Sequence, residues 1–263
     1  MSLAETYLPE VAPAQTSNVD DKPFRIQPIK ALRALGRLLK DKEDTAQVFE
    51  IMRALSGRSV PNGYARLLKT PAGGSIAFRH QEIAEILSDR EFLSRLPEGS
   101  VGRAYLSFTM TENISAQGLI EESRKGIDDG IDSAHPYAWY GRRMRDVHDL
   151  WHVLSGYGRD ALGEACLVAF SYAQTKSIGF GLIAFAGAAK LRQEVPNLPS
   201  FKAVWEAYRH GRKAAWLPGE DYVRLLSEPL GAARARLNIE RPASYDAVPA
   251  DIKSALGASM VPA

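Results

Sequence analysis

Apolar side chains recur at helical spacing from Ile26 to Lys40, where Ile29, Leu32, Leu35, Leu38 and Leu39 alternate with Arg33, Arg37 and Lys40. Repetition at three and four residues predicts an amphipathic helix, and Asp44–Leu55 repeats it through Val48, Ile51, Met52 and Leu55. The same periodicity predicts helices over Tyr64–Leu68, Gln81–Leu87, Glu91–Leu96, Ser100–Thr109, Tyr137–Ser155, Ala161–Gln174, Phe201–Gly211 and Asp221–Arg236, most of them bounded by Pro or Gly. Strands are not predicted, because no β-branched or aromatic run alternates cleanly over about six residues. No fixed-period repeat points to a solenoid. The expected fold is all-α, a single helical domain.

Hydropathy peaks over Ile178–Ala189, a stretch without a charged residue. It falls short of the ~20 residues that span a bilayer as a helix. A buried core helix is the first expectation. The second is the wall of an apolar channel, with Phe180, Ile183 and Phe185 as its lipid-facing side chains. The basic, Leu-rich helix at Ile26–Lys40 is expected to pack on the core rather than lie on an anionic membrane. Residues 1–22 show neither a helical nor a strand period and read as a flexible lead-in. The Pro/Ala/Ser-rich stretch 241–263 reads as a flexible tail, which leaves 23–240 as the folded domain.

Composition narrows the classes further. Lys and Arg number 33 against 31 Asp and Glu, for a net charge of +2, and 45% of residues are apolar. A near-balanced charge gives no electrostatic case for nucleic acid as the main partner, and the apolar content excludes a disordered or collagen-like chain. One cysteine, Cys166, cannot form an internal disulfide, which fits a reducing compartment and excludes a Cys-rich zinc module. Met1–Asp21 lacks the basic start and apolar core of a signal peptide, so a cytoplasmic location is expected.

The chemistry concentrates in Val147-His148-Asp149-Leu150-Trp151-His152. On a helix, His148 and His152 project about 40° apart and Asp149 about 60° beyond His152, so three candidate metal ligands share an arc of roughly 100°. Glu164 follows in Leu162-Gly163-Glu164-Ala165; on an unbroken helix it would lie ~18 Å from His152, against a metal–ligand bond of ~2 Å. The chain must therefore reverse. Gly156 and Gly158 tolerate positive φ, and Asp160 can cap the next helix, so a helical hairpin returns Glu164 to the histidines.

The signal is H-D-x-x-H, eleven residues, then E. Imidazole and carboxylate donors suit a divalent ion, with zinc, iron, manganese and magnesium not distinguished. A zincin protease needs Glu directly after its first His, where this chain has Asp149. An HD-type phosphohydrolase would use His148-Asp149 but needs further ligands, for which His80, His135 and His210 are the candidates. Arg142 and Arg145 project into the same general arc as Asp149 and could hold a substrate carboxylate or phosphate. Cys166 stands about 200° around the helix from Glu164, outside a shared ligand set.

With these residues in view, the chain resembles the coenzyme Q (ubiquinone) biosynthesis protein 4 family. That family's metal signature, H-D-x-x-H-x11-E, falls on His148, Asp149, His152 and Glu164. Leu96-Pro97-Glu98-Gly99-Ser100-Val101-Gly102-Arg103-Ala104-Tyr105 is similar to its L-P-x-G-T-L-G-x-x-Y, Tyr140–Arg145 to its R-Y-R lead into the histidines, and Glu228 to Ile239 to its ending around L-N-I. The resemblance covers roughly Ile26 to Ile239. Two departures mark a divergent member: Asn113–Pro136 shows no D-x-R segment, and Phe170-Ser171-Tyr172 stands where the family has F-E.

The resemblance implies an all-helical homodimer peripheral to the inner face of a membrane. It further implies that an apolar channel accepts a polyprenylated quinone precursor or other isoprenoid lipid. The activity it implies is metal-dependent oxidative decarboxylation, carboxyl replaced by hydroxyl, of a polyprenylated hydroxybenzoate-type ring. The alternative it carries is a non-catalytic lipid-binding scaffold that presents quinone intermediates to other ubiquinone-biosynthesis proteins.

Overall fold

The computed structural model describes residues 25–40, 44–112 and 135–258. Among the described residues seven helices precede residue 113: α1 (Pro28–Leu38), α2 (Thr45–Leu55), α3 (Ser59–Leu67), α4 (Gly73–Arg79), α5 (Ile83–Ser88), α6 (Arg90–Arg95) and α7 (Val101–Thr111). The chain then forms α8 (Pro136–Asp146), α9 (His148–Ser155), α10 (Ala161–Thr175), α11 (Ile178–Glu194) and α12 (Ser200–Lys213). It closes with α13 (Tyr222–Ser227), α14 (Leu230–Arg236), α15 (Ala243–Asp246) and α16 (Ala250–Ala258). No strand occurs among the described residues, so the fold is all-α as the periodicity predicted.

Helix α10 is the axis of the main core. Most of its side chains are buried, from Leu162 to Gln174, because α11 and α12 pack along it and α9, α16 and the Leu217–Gly219 turn reach it too. An element apolar around most of its circumference needs neighbours on every side. Helices α1 and α2 build a smaller core from Ala31, Ala34, Ile51, Ala54 and Leu55, joined to α11 through Leu182 and Ile183. The α1 face differs from the expected leucine stripe: Ala31 and Ala34 are buried, whereas Ile29 and Leu32 are 67% and 59% exposed. The close approach of α2 selects the small side chains.

Two predicted helices are interrupted. Asp221–Arg236 divides at Pro229, which has no N–H for the ladder. Tyr137–Ser155 divides at Val147, whose backbone (φ −88°, ψ 1°) leaves α-helical values although no Pro or Gly marks the place. Residues 1–22, read as a lead-in, lie outside the described residues. The stretch from Arg241, expected as a flexible tail, instead forms α15 and α16, with Tyr245, Val248 and Leu256 buried in the main core. Its apolar residues are too widely spaced to show a period, and they become core only because α10 and α12 lie beneath them.

Helix α11 contains the Ile178–Ala189 stretch and packs against α10, α12 and α2. Phe180 and Ile183 are half-buried against the core, but Phe185 is 64% exposed, with its ring centroid 5.8 Å from that of Phe201 on α12. Every exposed residue of α12 is aromatic or cationic: Phe201, Lys202, Trp205, Arg209, Arg212 and Lys213. Its carboxylate, Glu206, turns inward and accepts from the Ser244 backbone N–H at 2.8 Å and hydroxyl at 2.6 Å. Among the described residues no helix is long and apolar enough to cross a membrane.

Candidate metal centre

The hairpin inferred from spacing is present. Helix α9 ends at Gly156, in the left-handed region at φ +83°, a conformation that costs a glycine little. Asp160 starts the return: its Oδ1 accepts from the backbone N–H of Leu162 at 3.1 Å and of Gly163 at 3.2 Å. Gly163 lets the helix meet the turn, since a Cβ there would collide with the Gly158 carbonyl. Two turns of sequence thereby set Glu164 opposite α9.

His152 Nε2 lies 3.3 Å from Glu164 Oε1, and His148 Nε2 lies 3.5 Å from Glu164 Oε2. All three ligand atoms fall within 4.8 Å of one another, and the two imidazole planes stand 87° apart. Donors bound at ~2.1 Å to one ion are separated by no more than about 4.2 Å, a limit met by both His–Glu distances, each to a different carboxylate oxygen, while the group as a whole spans up to 4.8 Å and would tighten around an ion.

His152 is fully buried, whereas the side chains of His148 and Glu164 are 28% and 23% exposed, so the group opens toward solvent on their side. Phe108 covers His152 with a nearly parallel ring, 25° between planes and 5.6 Å between centroids.

The tautomer of His152 decides the chemistry. Its Nδ1 is 2.9 Å from the Tyr157 carbonyl, an acceptor, so Nδ1 carries the proton and donates. That leaves Nε2 as the nitrogen available to a ligand; it faces Glu164 Oε1 at 3.3 Å, is buried, and makes no hydrogen bond of good geometry. An imidazole nitrogen and a carboxylate oxygen facing each other need a cation between them, a proton or a metal ion. A ring nitrogen fixed by a carbonyl on its other side is the usual arrangement of a metal-bound histidine. The residues present therefore fit a divalent cation.

Without an ion the cluster is held by imidazole–carboxylate attraction. Burial would raise the Glu164 carboxyl, but His152 and then His148 outweigh it and hold the group well below the usual carboxylate range. Burial would lower His148, yet the hydrogen bond and charge of Glu164, followed by Asp149, raise it above the ordinary imidazole value. Both shifts describe attraction between a protonated imidazole and a carboxylate, so a metal ion entering the group would replace those ring protons and inherit the carboxylate's charge.

Asp149 is buried on the same helix and acts on His148 through its charge, but it stands outside the three-residue group. Burial, then Asp149 and Asp146, push the nearby Tyr105 phenol up. Arg142 forms an ion pair with Glu82 at 2.6 Å, and Arg145 one with the buried Asp146 at 2.6 Å. The break at Val147 also removes the unbroken helical phase on which their placement beside Asp149 relied.

The phosphohydrolase reading loses its extra ligands. His80 stacks on Trp139, His135 accepts from the Tyr137 N–H at the start of α8, and His210 faces Glu240 at 3.2 Å. Cys166 is buried and, as expected, takes no part in the group.

Sequence reasoning missed three neighbours. Tyr157 contributes a carbonyl, which no side-chain motif reveals. Phe108 comes from a distant helix. Arg159, whose guanidinium is 3.7 Å from Glu164, lies inside the turn, between the glycines and the capping Asp160 that mark it in the sequence.

Comparison with known proteins gives a consistent result. The sequence profile of the family described as Coenzyme Q (ubiquinone) biosynthesis protein Coq4 matches residues 30–243. The mitochondrial "Ubiquinone biosynthesis protein COQ4 homolog" of Rattus norvegicus is 29% identical over 180 residues, covering 68% of this chain and 65% of that protein. Its Homo sapiens counterpart is 31% identical over 178 residues, covering 67% and 64%. The chain thus spans slightly less than two thirds of the length of these relatives. A crystal structure of a putative ubiquinone biosynthesis protein from Nostoc punctiforme is similar in fold, with a TM-score of 0.59 at 20% identity, covering 82% of this chain and 100% of that one.

Proposed function

This chain belongs to the coenzyme Q (ubiquinone) biosynthesis protein Coq4 family, and from that membership we propose that it acts in ubiquinone biosynthesis as a metal-dependent oxidative decarboxylase. Its substrate in this reading is a polyprenylated hydroxybenzoate-type acid. The bond from ring to carboxyl breaks to release CO₂, and a ring C–O bond forms with an oxygen atom of dioxygen. The second oxygen atom leaves as water on two protons and two electrons from an external reductant.

The observation that carries the reading is the buried His152 Nε2, unpartnered and aimed at Glu164. His148, His152 and Glu164 would hold the ion, and Asp149 behind His148 supplies negative charge toward the same cluster. A divalent ion there supplies Lewis-acid polarisation, and a redox-active one, iron or manganese, also electron exchange with dioxygen. Three protein ligands leave coordination positions open, as a reaction site requires.

Each neighbouring residue has a distinct part. The Tyr157 carbonyl keeps the Nδ1 proton on His152 and thereby the Nε2 lone pair toward the ion. Phe108 excludes water from the His152 ring. A substrate carboxylate needs a cation. Arg142 and Arg145 would serve by exchanging Glu82 and Asp146 for it, whereas Arg159 already reaches the rim of the site at Glu164.

The prenyl tail would lie along α11 by Phe180, Ile183 and Phe185. The exposed aromatic and cationic face of α12 supports peripheral contact with an anionic membrane, since Trp and Phe enter the interface while Lys and Arg meet the headgroups. Self-association as a dimer and contact with other biosynthetic proteins belong to the same reading.

The test is CO₂ release from the prenylated acid under oxygen by metal-loaded protein. Glu164→Ala should lose both metal and turnover. The second reading, a scaffold presenting quinone intermediates, is favoured by the same α12 face and would be sustained by co-purified isoprenoid lipid without turnover.

A further inference from the structure

The segment beyond residue 243, where the family match ends, closes over the metal hairpin. The Tyr245 hydroxyl accepts from the Gly158 N–H at 3.1 Å and donates to Asp160 Oδ2, in one bridge across the turn. The other oxygen of Asp160 caps α10, four residues before Glu164. One residue before Gly158, the Tyr157 carbonyl holds His152 Nδ1. The edge of the Tyr157 ring also meets the Tyr245 ring, at 5.7 Å and 73°. Tyr245 is 6% exposed, and its own helix is fixed to α12 by Ser244 on Glu206. A second clasp lies alongside: Arg234 donates to the Leu154 carbonyl at 2.9 Å and the Val153 carbonyl at 2.9 Å, the free acceptors at the end of the histidine helix.

We propose that Tyr245 is a positioning residue of the metal centre: its hydroxyl joins the carbonyl that orients His152 to the cap that places Glu164, and so fixes the two ligands relative to each other. The inference rests on the metal reading above. Without the bridge the turn keeps its glycines and loses its brace. The Tyr157 carbonyl and the start of α10 then move independently, and the site collapses onto an ion less well. Outer partners of metal ligands act in this way.

Co²⁺ is the probe, because it reports both affinity, by competition with a chelating dye, and ligand geometry, by its visible absorption. Tyr245→Phe in the full chain should weaken Co²⁺ binding roughly 10–100-fold and change the Co²⁺ spectrum. Asp89→Ala, which removes the cap on Phe92 far from the site, serves as the stability control. It should lower the melting temperature of the metal-free protein while leaving the Co²⁺ constant within about twofold.

Ser244→Ala loosens the segment without altering the bridge and should weaken Co²⁺ in the same direction by roughly threefold; it decides the matter if Tyr245→Phe does not fold. Wild-type Co²⁺ affinity and spectrum in both variants overturn the proposal. A wild-type chain that binds no Co²⁺ overturns the metal reading itself and this inference with it, a result distinct from equal binding by variant and wild type.

Discussion

The α9–α10 hairpin and the outer face of α12 invert the ordinary distribution of side chains. In the hairpin, the polar His152 and Asp149 are buried; on α12, Trp205 is 62% exposed and Phe201 43%. Both depart from the rule that apolar groups go inside and polar groups outside, and the rule's exceptions are where function concentrates. The departures differ in kind. Burying an imidazole nitrogen without a well-formed hydrogen bond has a free-energy cost, so the hairpin would gain stability from an ion bound there. Exposing an indole costs nothing relative to the unfolded chain, so the α12 face invites a partner without requiring one. Removing the partner should therefore destabilise the first region and leave the second unmoved.

The largest effect that would break this contrast is at Glu164. Glu164→Ala leaves two imidazoles and should reduce metal affinity about a thousandfold, read by chelator competition. Retained binding would take the hairpin out of the comparison. Next comes removal of the ion from the native protein. With free metal ~1,000-fold above its dissociation constant, binding adds about 4 kcal/mol of stability, which for a domain of this size raises the melting temperature by roughly 10 °C, a difference that a chelator should abolish in calorimetry.

On the other side, Phe201→Ser combined with Trp205→Ser should lower partitioning onto anionic vesicles about tenfold in flotation assays while leaving the melting temperature within about 1 °C. Charge reversal at Arg209 and Arg212 should weaken the same partitioning with a salt dependence that neutral vesicles do not show. The smallest effect is at Arg142, whose pair with Glu82 is about one third exposed on each side. Arg142→Ala should cost about 1 kcal/mol or less by denaturant unfolding. A larger rise in KM for the prenylated acid would return Arg142 to the substrate.

Much of this was legible in the chain. The 3.6 period gave the helices that carry the core, because amphipathicity is a local property of sequence. His148, His152 and Glu164 were legible too, since a metal bond is so short that a twelve-residue gap admits only a reversal, and the glycines and Asp160 show where the turn falls. The remainder was not. The break at Val147 has no local marker, and it changes the phase on which the placement of Arg142 and Arg145 depended. Residues 241–263 looked featureless because Tyr245, Val248 and Leu256 are buried by neighbours far off in sequence. Burial in such cases belongs to the surroundings rather than to the segment.

The amino-acid order by itself determined a helical chain, a hairpin and a set of four candidate donors, all consequences of spacing along a backbone with a fixed rise and twist. Of these donors the structure groups His148, His152 and Glu164 and leaves Asp149 outside. The tertiary structure alone decided which nitrogen of His152 carries the proton, which arginines are already engaged with carboxylates, and that the C-terminal segment braces the turn. Those outcomes arise from contacts between residues tens of positions apart, where the distance along the chain says nothing about the distance in space.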